Sequence, residues 1–126
     1  MTFNSTGDTK EANATVTGPL AGAVLASIPN VPPGYYKADV TYSTSGTTTA
    51  ADSDNVGLNV PGDPQYVVPD TQGTPAESSL FQTWFVTVLG VADTVTLTAI
   101  ANGGAAAVYH VTLKLTLWPN EANDRL

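Results

Sequence analysis

The chain holds a single histidine, His110, and no cysteine. Triad catalysis needs a base set beside a hydroxyl or thiol. The sequence puts Thr112 two places from His110 but no serine or acid in a fixed relation to it, so His110 reads as a surface or interface residue before a catalyst. The same count excludes zinc sites built from several histidines or cysteines. Carboxylates offer a second chemistry. Asp52, Asp54 and Asn55 (DSDN), with Asp63 and Asp70 further on, are hard oxygen donors of the kind that surround calcium. The glycine and closing glutamate of an EF-hand loop are missing at the required offsets, and the stretch reads first as a solvated acidic loop. A pair of acids for glycoside hydrolysis would need a cleft at a fixed separation, which loop acids in a chain this small do not suggest. No glycine-rich loop follows a strand and opens a helix, so the phosphate-binding motifs are absent as well. No cofactor and no metal is expected.

Aromatic residues give the third possibility. Tyr35, Tyr66, Trp84 and Trp118 would form a sugar-stacking platform if a β-sheet brought them to one surface; core and intersubunit packing is the plainer reading. The sequons Asn4-Ser5-Thr6 and Asn13-Ala14-Thr15 arise easily in a threonine-rich chain and carry weight only on a secretory route.

These side chains must be placed by strands. In residues 105–119 (AAAVYHVTLKLTLWP), Tyr109, Val111, Leu113, Leu115 and Leu117 alternate with His110, Thr112, Lys114, Thr116 and Trp118. A strand sends successive side chains to opposite faces, so one set enters a core and the other lies outside. Residues 35–43 (YYKADVTYS) repeat the pattern with Tyr36, Ala38, Val40 and Tyr42 inward. Residues 55–60 do so with Val56, Leu58 and Val60, and residues 93–100 with Val95, Leu97 and Ala99. Asn102-Gly103-Gly104 then predicts a hairpin joining the last two strands. Residues 30–34 (NVPPG) are turn chemistry, with Gly34 the residue suited to positive φ. Residues 12–17 make a possible short strand, and residues 20–28, interrupted by Gly22 and bounded by prolines, a strand or irregular edge segment.

Residues 80–89 (LFQTWFVTVL) differ from the rest. Leu80, Trp84, Val86 and Val88 fall on one face, Phe81, Phe85 and Leu89 on the other, and both faces are largely apolar. Such a strand is covered twice within the fold or buries its outer face against a partner.

Seven or eight strands, Pro/Gly-rich turns and no convincing helix predict an all-β chain: a single antiparallel β-sandwich, jelly-roll-like, with a flexible N-terminal arm. Residues 1–19 are expected as the arm, 20–119 as the sandwich and 120–126 as a polar C-terminal tail. At 126 residues the chain fits one domain. Eleven acids against four cations give a formal charge of −7, and four scattered cations cannot replace the counterions of a nucleic acid. Only 12% of residues are charged, about half the usual share, so hydroxyls or burial against another chain must stand in. No apolar run reaches the length of a membrane-spanning helix. The first residues lack the basic start and apolar stretch of a signal peptide, which predicts a cytoplasmic origin.

Three segments, PPGYYKADVTYSTSG, AADSDNVGLNVPG and DTVTLTAIANGGAAAVYHVTLKLTL, resemble small virion proteins of tailed bacteriophages, in particular capsid decoration (head-stabilising) proteins. The likeness covers about residues 31–117. It rests on a proline-glycine turn into an aromatic strand, a central acidic-Asn strand and a Gly/Ala-rich turn before the last strand. The resemblance implies a non-enzymatic structural protein, a homotrimer on the capsid exterior, assembled in the host cytoplasm and bound to the major capsid protein. It implies no nucleic acid or membrane partner. On this reading Phe81, Phe85 and Leu89 form the subunit interface, and Thr2, Phe3, Asn4 and Lys10 of the arm contact the capsid. The alternative is a carbohydrate- or receptor-binding β-sandwich module of a phage tail or cell-surface protein; a small hydrolase is the remotest reading.

Overall fold

Each alternating stretch of the chain is a strand. The computed structural model describes residues 7–18, 20, 22–45, 56–62, 66–68, 78–90, 93–100 and 108–118. In chain order the elements are β1 (Thr9–Thr17), β2 (Val24–Val31), β3 (Gly34–Ser45), β4 (Val56–Asn59), β5 (Tyr66–Val68), β6 (Ser78–Val88), β7 (Asp93–Ala99) and β8 (Val108–Leu117). Their pairing follows one rule. β1 lies beside β8, β2 beside β7, β3 beside β6 and β4 beside β5, each pair antiparallel. That is one long ribbon folded back on itself. Rolling the ribbon sets β8 against β3 and β7 against β4, which gives two four-stranded sheets in the orders β1-β8-β3-β6 and β2-β7-β4-β5. The result is a jelly-roll β-sandwich, as the strand patterns predict.

The core lies between the sheets and is built from the inward set of every strand. Tyr36, Ala38, Val40 and Tyr42 of β3, with Tyr109, Val111, Leu113, Leu115 and Leu117 of β8, are buried from one side. Ile28 and Val31 of β2, Val56 and Leu58 of β4, and Val95, Leu97 and Ala99 of β7 meet them from the other. β1 adds only Ala12, Ala14 and Val16, which are partly buried against the cluster. Small side chains suit an edge strand that closes over a core already filled by tyrosine and leucine. The Tyr36 hydroxyl, buried with its ring, donates to the Pro32 carbonyl oxygen at 2.8 Å. Burial pushes its pKa up to about 12, because the phenolate would lose its hydration.

Three expectations are corrected. Residues 93–100 and 105–119 do not form a hairpin: β7 pairs with β2 and β4 in one sheet, and β8 with β1 and β3 in the other. A Gly-rich connection signals a reversal of the chain, yet it does not say whether the strands it joins share a sheet. The arm expected over residues 1–19 does not extend over residues 9–17. These form β1, in register with β8 from Thr9 opposite Thr116 to Thr17 opposite Val108, and the sandwich therefore starts well before residue 20. Backbone pairing to β8 holds a strand whose own apolar side chains are small. Positive φ near the NVPPG turn belongs to Asn30, at 57°, rather than Gly34, which already opens β3 opposite Val88. Asn30 sits where the β2 register shifts between Ile28 and Val31, a bulge site at which Asn tolerates the left-handed conformation. In residues 20–28 the expected edge strand is present, starting at Val24.

Candidate functional site

The register of β1, β8, β3 and β6 aligns outward side chains in rows across one sheet. Thr9, Thr116, Lys37 and Phe85 make one row, Glu11, Lys114, Asp39 and Thr83 the next, and Asn13, Thr112, Thr41 and Phe81 the third. Thr15, His110 and Ser43 continue it. Three chemistries follow one another along the face: aromatic with Lys37 at one end, charged in the middle, and neutral and polar at the other, bordered by Phe81 on β6.

At the aromatic end the Tyr35 and Phe85 rings are stacked, 5.9 Å between centroids and 12° between planes. Phe85 meets Trp118 edge-on at 5.4 Å. Lys37 Nζ lies 5.1 Å from the centre of the Trp118 ring and 3.9 Å from Asp39 Oδ2. Asp39 in turn accepts a hydrogen bond from Thr83 Oγ1 at 2.7 Å. The Trp118 N–H donates to the Tyr35 carbonyl oxygen at 3.1 Å, just beyond the end of β8. Ring pairs and a cation over a ring contribute about 0.5–1.5 kcal/mol each. Together they brace the ends of β3, β6 and β8.

The four aromatics of the expected sugar platform are not brought together. Tyr35 and Trp118 share this outer cluster through Phe85, a residue the platform reading left out. Tyr66 and Trp84 instead meet each other at 5.7 Å, both packed against the core, where β5 and β6 form the edges of opposite sheets. That pair closes a seam of the sandwich.

At the neutral end an open depression of about 480 Å³ lies over β1, β8 and β3, lined by Asn13, Thr15, Thr41, Ser43, His110 and Thr112 together with Ala14, Tyr42 and Val111. Two cross-strand hydrogen bonds order it. Thr15 Oγ1 and His110 Nδ1 are 3.1 Å apart, and Thr112 Oγ1 donates to Asn13 Oδ1 at 2.6 Å. The hydroxyl next to His110 is thus supplied by β1, and no carboxylate is among the described residues that line the depression. The arrangement can exchange hydrogen bonds with a bound molecule; a third group to orient the imidazole as a base is not among its lining residues. Asn13 and Thr15 were missed as site residues because they were assigned to an arm. The signal was the alternation of Asn13, Thr15 and Thr17 with Ala12, Ala14 and Val16.

Of the expected subunit contacts, Phe81 is 62%, Phe85 46% and Leu89 75% exposed in the single chain, all on the outward side of β6 or just past its end. Of the expected capsid contacts, Lys10 belongs to β1 opposite Leu115, and Thr2, Phe3 and Asn4 lie outside the described residues. Asp52, Asp54, Asn55, Asp63 and Asp70 also lie outside them. Among the described residues no three of His, Cys, Asp and Glu stand together as a metal site would require, and no helix is long and apolar enough to cross a membrane.

No family model matches the chain, and no curated protein matches its sequence. Solved structures do. The PRD1 vertex protein P5 superposes with a TM-score of 0.47 at 16% identity, over 92% of this chain and 100% of that one. An exo-β-1,3-galactanase from Phanerochaete chrysosporium gives 0.43 at 17% identity, over 86% of this chain; the chain spans only 29% of that enzyme. A chain from the disulfide-linked pili that form Bacillus endospore appendages gives 0.44 at 11% identity, over 94% of this chain and 96% of that one. Identities of this size do not carry a role from one chain to another.

Proposed function

We propose that the protein is a non-enzymatic virion structural protein, a capsid decoration protein that binds the outer capsid surface as a homotrimer and stabilises the head. The observation that carries the reading is the edge and outer face of β6, which no other described strand pairs with. A sheet edge offers unpaired backbone groups to any other strand, and stable monomers blunt it with charges, proline, bulges or brevity. Three of the four edges here are blunted. β1 carries Glu11 outward and Lys10 half-buried on the core side, β2 has Pro29 and two register shifts, and β5 has three residues. β6 has eleven residues, SSLFQTWFVTV, without a charge or a proline. With Phe81, Phe85 and Leu89 open to water beside it, this edge fits burial against a neighbouring subunit. The resemblance of residues 31–117 to phage decoration proteins supports the virion as the setting, with the major capsid protein as partner and the capsid exterior as location.

Light scattering on the purified chain tests the assembly, and saturable binding to undecorated capsids tests the setting. A trimer at micromolar concentration is expected. Phe81→Lys, placed at a position without a described ring contact, should shift it to monomer and abolish capsid binding while the chain keeps its β-sheet circular dichroism and a cooperative unfolding transition, the midpoint no longer depending on protein concentration. A wild-type chain that stays monomeric and leaves capsids undecorated overturns the reading.

A further inference from the structure

We propose that the depression around His110 is a binding site for a neutral, polyhydroxylated ligand of the sugar class. Its lining decides the chemistry. Asn13, Thr15, Thr41, Ser43, His110 and Thr112 include no lysine, arginine, aspartate or glutamate, so an anion such as phosphate finds no counter-charge and a metal ion finds a single imidazole. The apolar side chains beneath, Tyr42 and Val111, point into the core and are buried, which leaves an apolar ligand little to cover. What remains is a set of groups that both donate and accept. A serine or threonine hydroxyl rotates to do either, an asparagine amide offers both, and a neutral imidazole presents one of each. Sugar hydroxyls have the same dual character.

The two existing hydrogen bonds leave capacity facing outward. Thr112 donates to Asn13 Oδ1, so the Asn13 amide NH₂ is directed away from that bond and the Thr112 oxygen keeps its lone pairs. His110 uses Nδ1 toward Thr15, and its Nε2 is the second functional atom of the ring. These bonds tie β1 to β8 and hold the lining side chains in place before a ligand arrives, which reduces the ordering cost of binding. The volume, about 480 Å³, falls within the roughly 300–1,000 Å³ of small-molecule sites. The site is open and the exposed Phe81 ring, opposite Thr41, is not among its lining residues, so affinity in the millimolar range is expected. It lies over β1, β8 and β3; Thr41 at its margin stands opposite Phe81 of β6, while Asn13 and Thr15 on β1 and His110 and Thr112 on β8 lie two or more strands from β6 and stay open when a neighbour covers that edge. The site therefore stands whether or not the assembly proposal holds.

The test is a titration of the full-length protein with glucose, galactose, mannose and N-acetylglucosamine, each against inorganic phosphate as control, followed by amide shifts in NMR. Saturable shifts confined to residues 13–15, 41–43 and 110–112 with at least one sugar, and none with phosphate, are expected. The double variant H110A/T112V should weaken that binding about tenfold or more, with the dispersed amide spectrum retained. Three results overturn the proposal: no sugar producing saturable shifts, shifts centred on Tyr35 and Trp118 instead, or phosphate binding as well as the sugars. Because the wild-type shift map stands alone, a variant that failed to fold would not rescue or sink it.

Discussion

Tyr36 shows how a residue's surroundings set its chemistry. Its ring is fully buried, its hydroxyl reaches the Pro32 carbonyl, and its pKa is raised to about 12. An unfolded tyrosine ionises near pH 10. Between those values the unfolded chain releases this proton and the folded chain keeps it, so the contribution is intact below pH 10 and is lost as pH rises towards 12. The loss should approach about 1.4 kcal/mol per pH unit in that window. Urea midpoints measured from pH 9 to 12 should therefore fall less steeply for Tyr36→Phe than for the wild type. Gly90 gives a second test. Its N–H donates to Asp93 Oδ2 at 3.0 Å, and a Cβ at this position would run into the same carboxylate. Gly90→Ala should displace Asp93, break the bond and lower stability by about 1 kcal/mol, read from the urea midpoint.

Elements explain why β1 escaped a full reading. Its inward side chains are Lys10, Ala12, Ala14 and Val16, too small or too polar to announce a core strand, and it is held chiefly by the ladder to β8. The ladder continues beyond the strand, with Gly7 N–H donating to the Leu117 carbonyl oxygen and Leu117 N–H to that of Asp8. Deleting residues 1–6 leaves these ladder bonds in place. Deleting residues 1–11 takes Thr9, Lys10 and Glu11 from opposite Thr116, Leu115 and Lys114 and should cost about 1–3 kcal/mol. Capsid attachment of the shorter deletion then isolates the contact role proposed for Thr2, Phe3 and Asn4. By contrast β6 was readable at once, because phenylalanine at both outward positions 81 and 85 breaks the apolar–polar alternation of a one-sided strand.

The whole molecule is dominated by pairings distant in sequence, the first strand lying beside the last. Closing such loops loses entropy before any contact compensates for it, so β-sandwiches fold in about milliseconds to seconds, whereas helical bundles are faster. Stopped-flow refolding of this chain should fall in that slow range. A chain ending at residue 107 lacks β8, and with it the partner of both β1 and β3. It should show no cooperative unfolding transition by circular dichroism. Loss of one central strand should dismantle its sheet as a unit.

Alternation alone established that the chain is all-β, which residues face inward in β3, β4, β7 and β8, and that β6 is apolar on both sides. Those are properties of single strands, set by the period of two. Partnership is not a single-strand property. That Asn102-Gly103-Gly104 joins strands of opposite sheets, that β1 completes a sheet, and that Tyr66 and Trp84 meet across a seam all depend on rolling the ribbon. The depression around His110 depends on it as well: Asn13 and Thr15 come from the first strand and His110 and Thr112 from the last, and only long-range register sets them side by side.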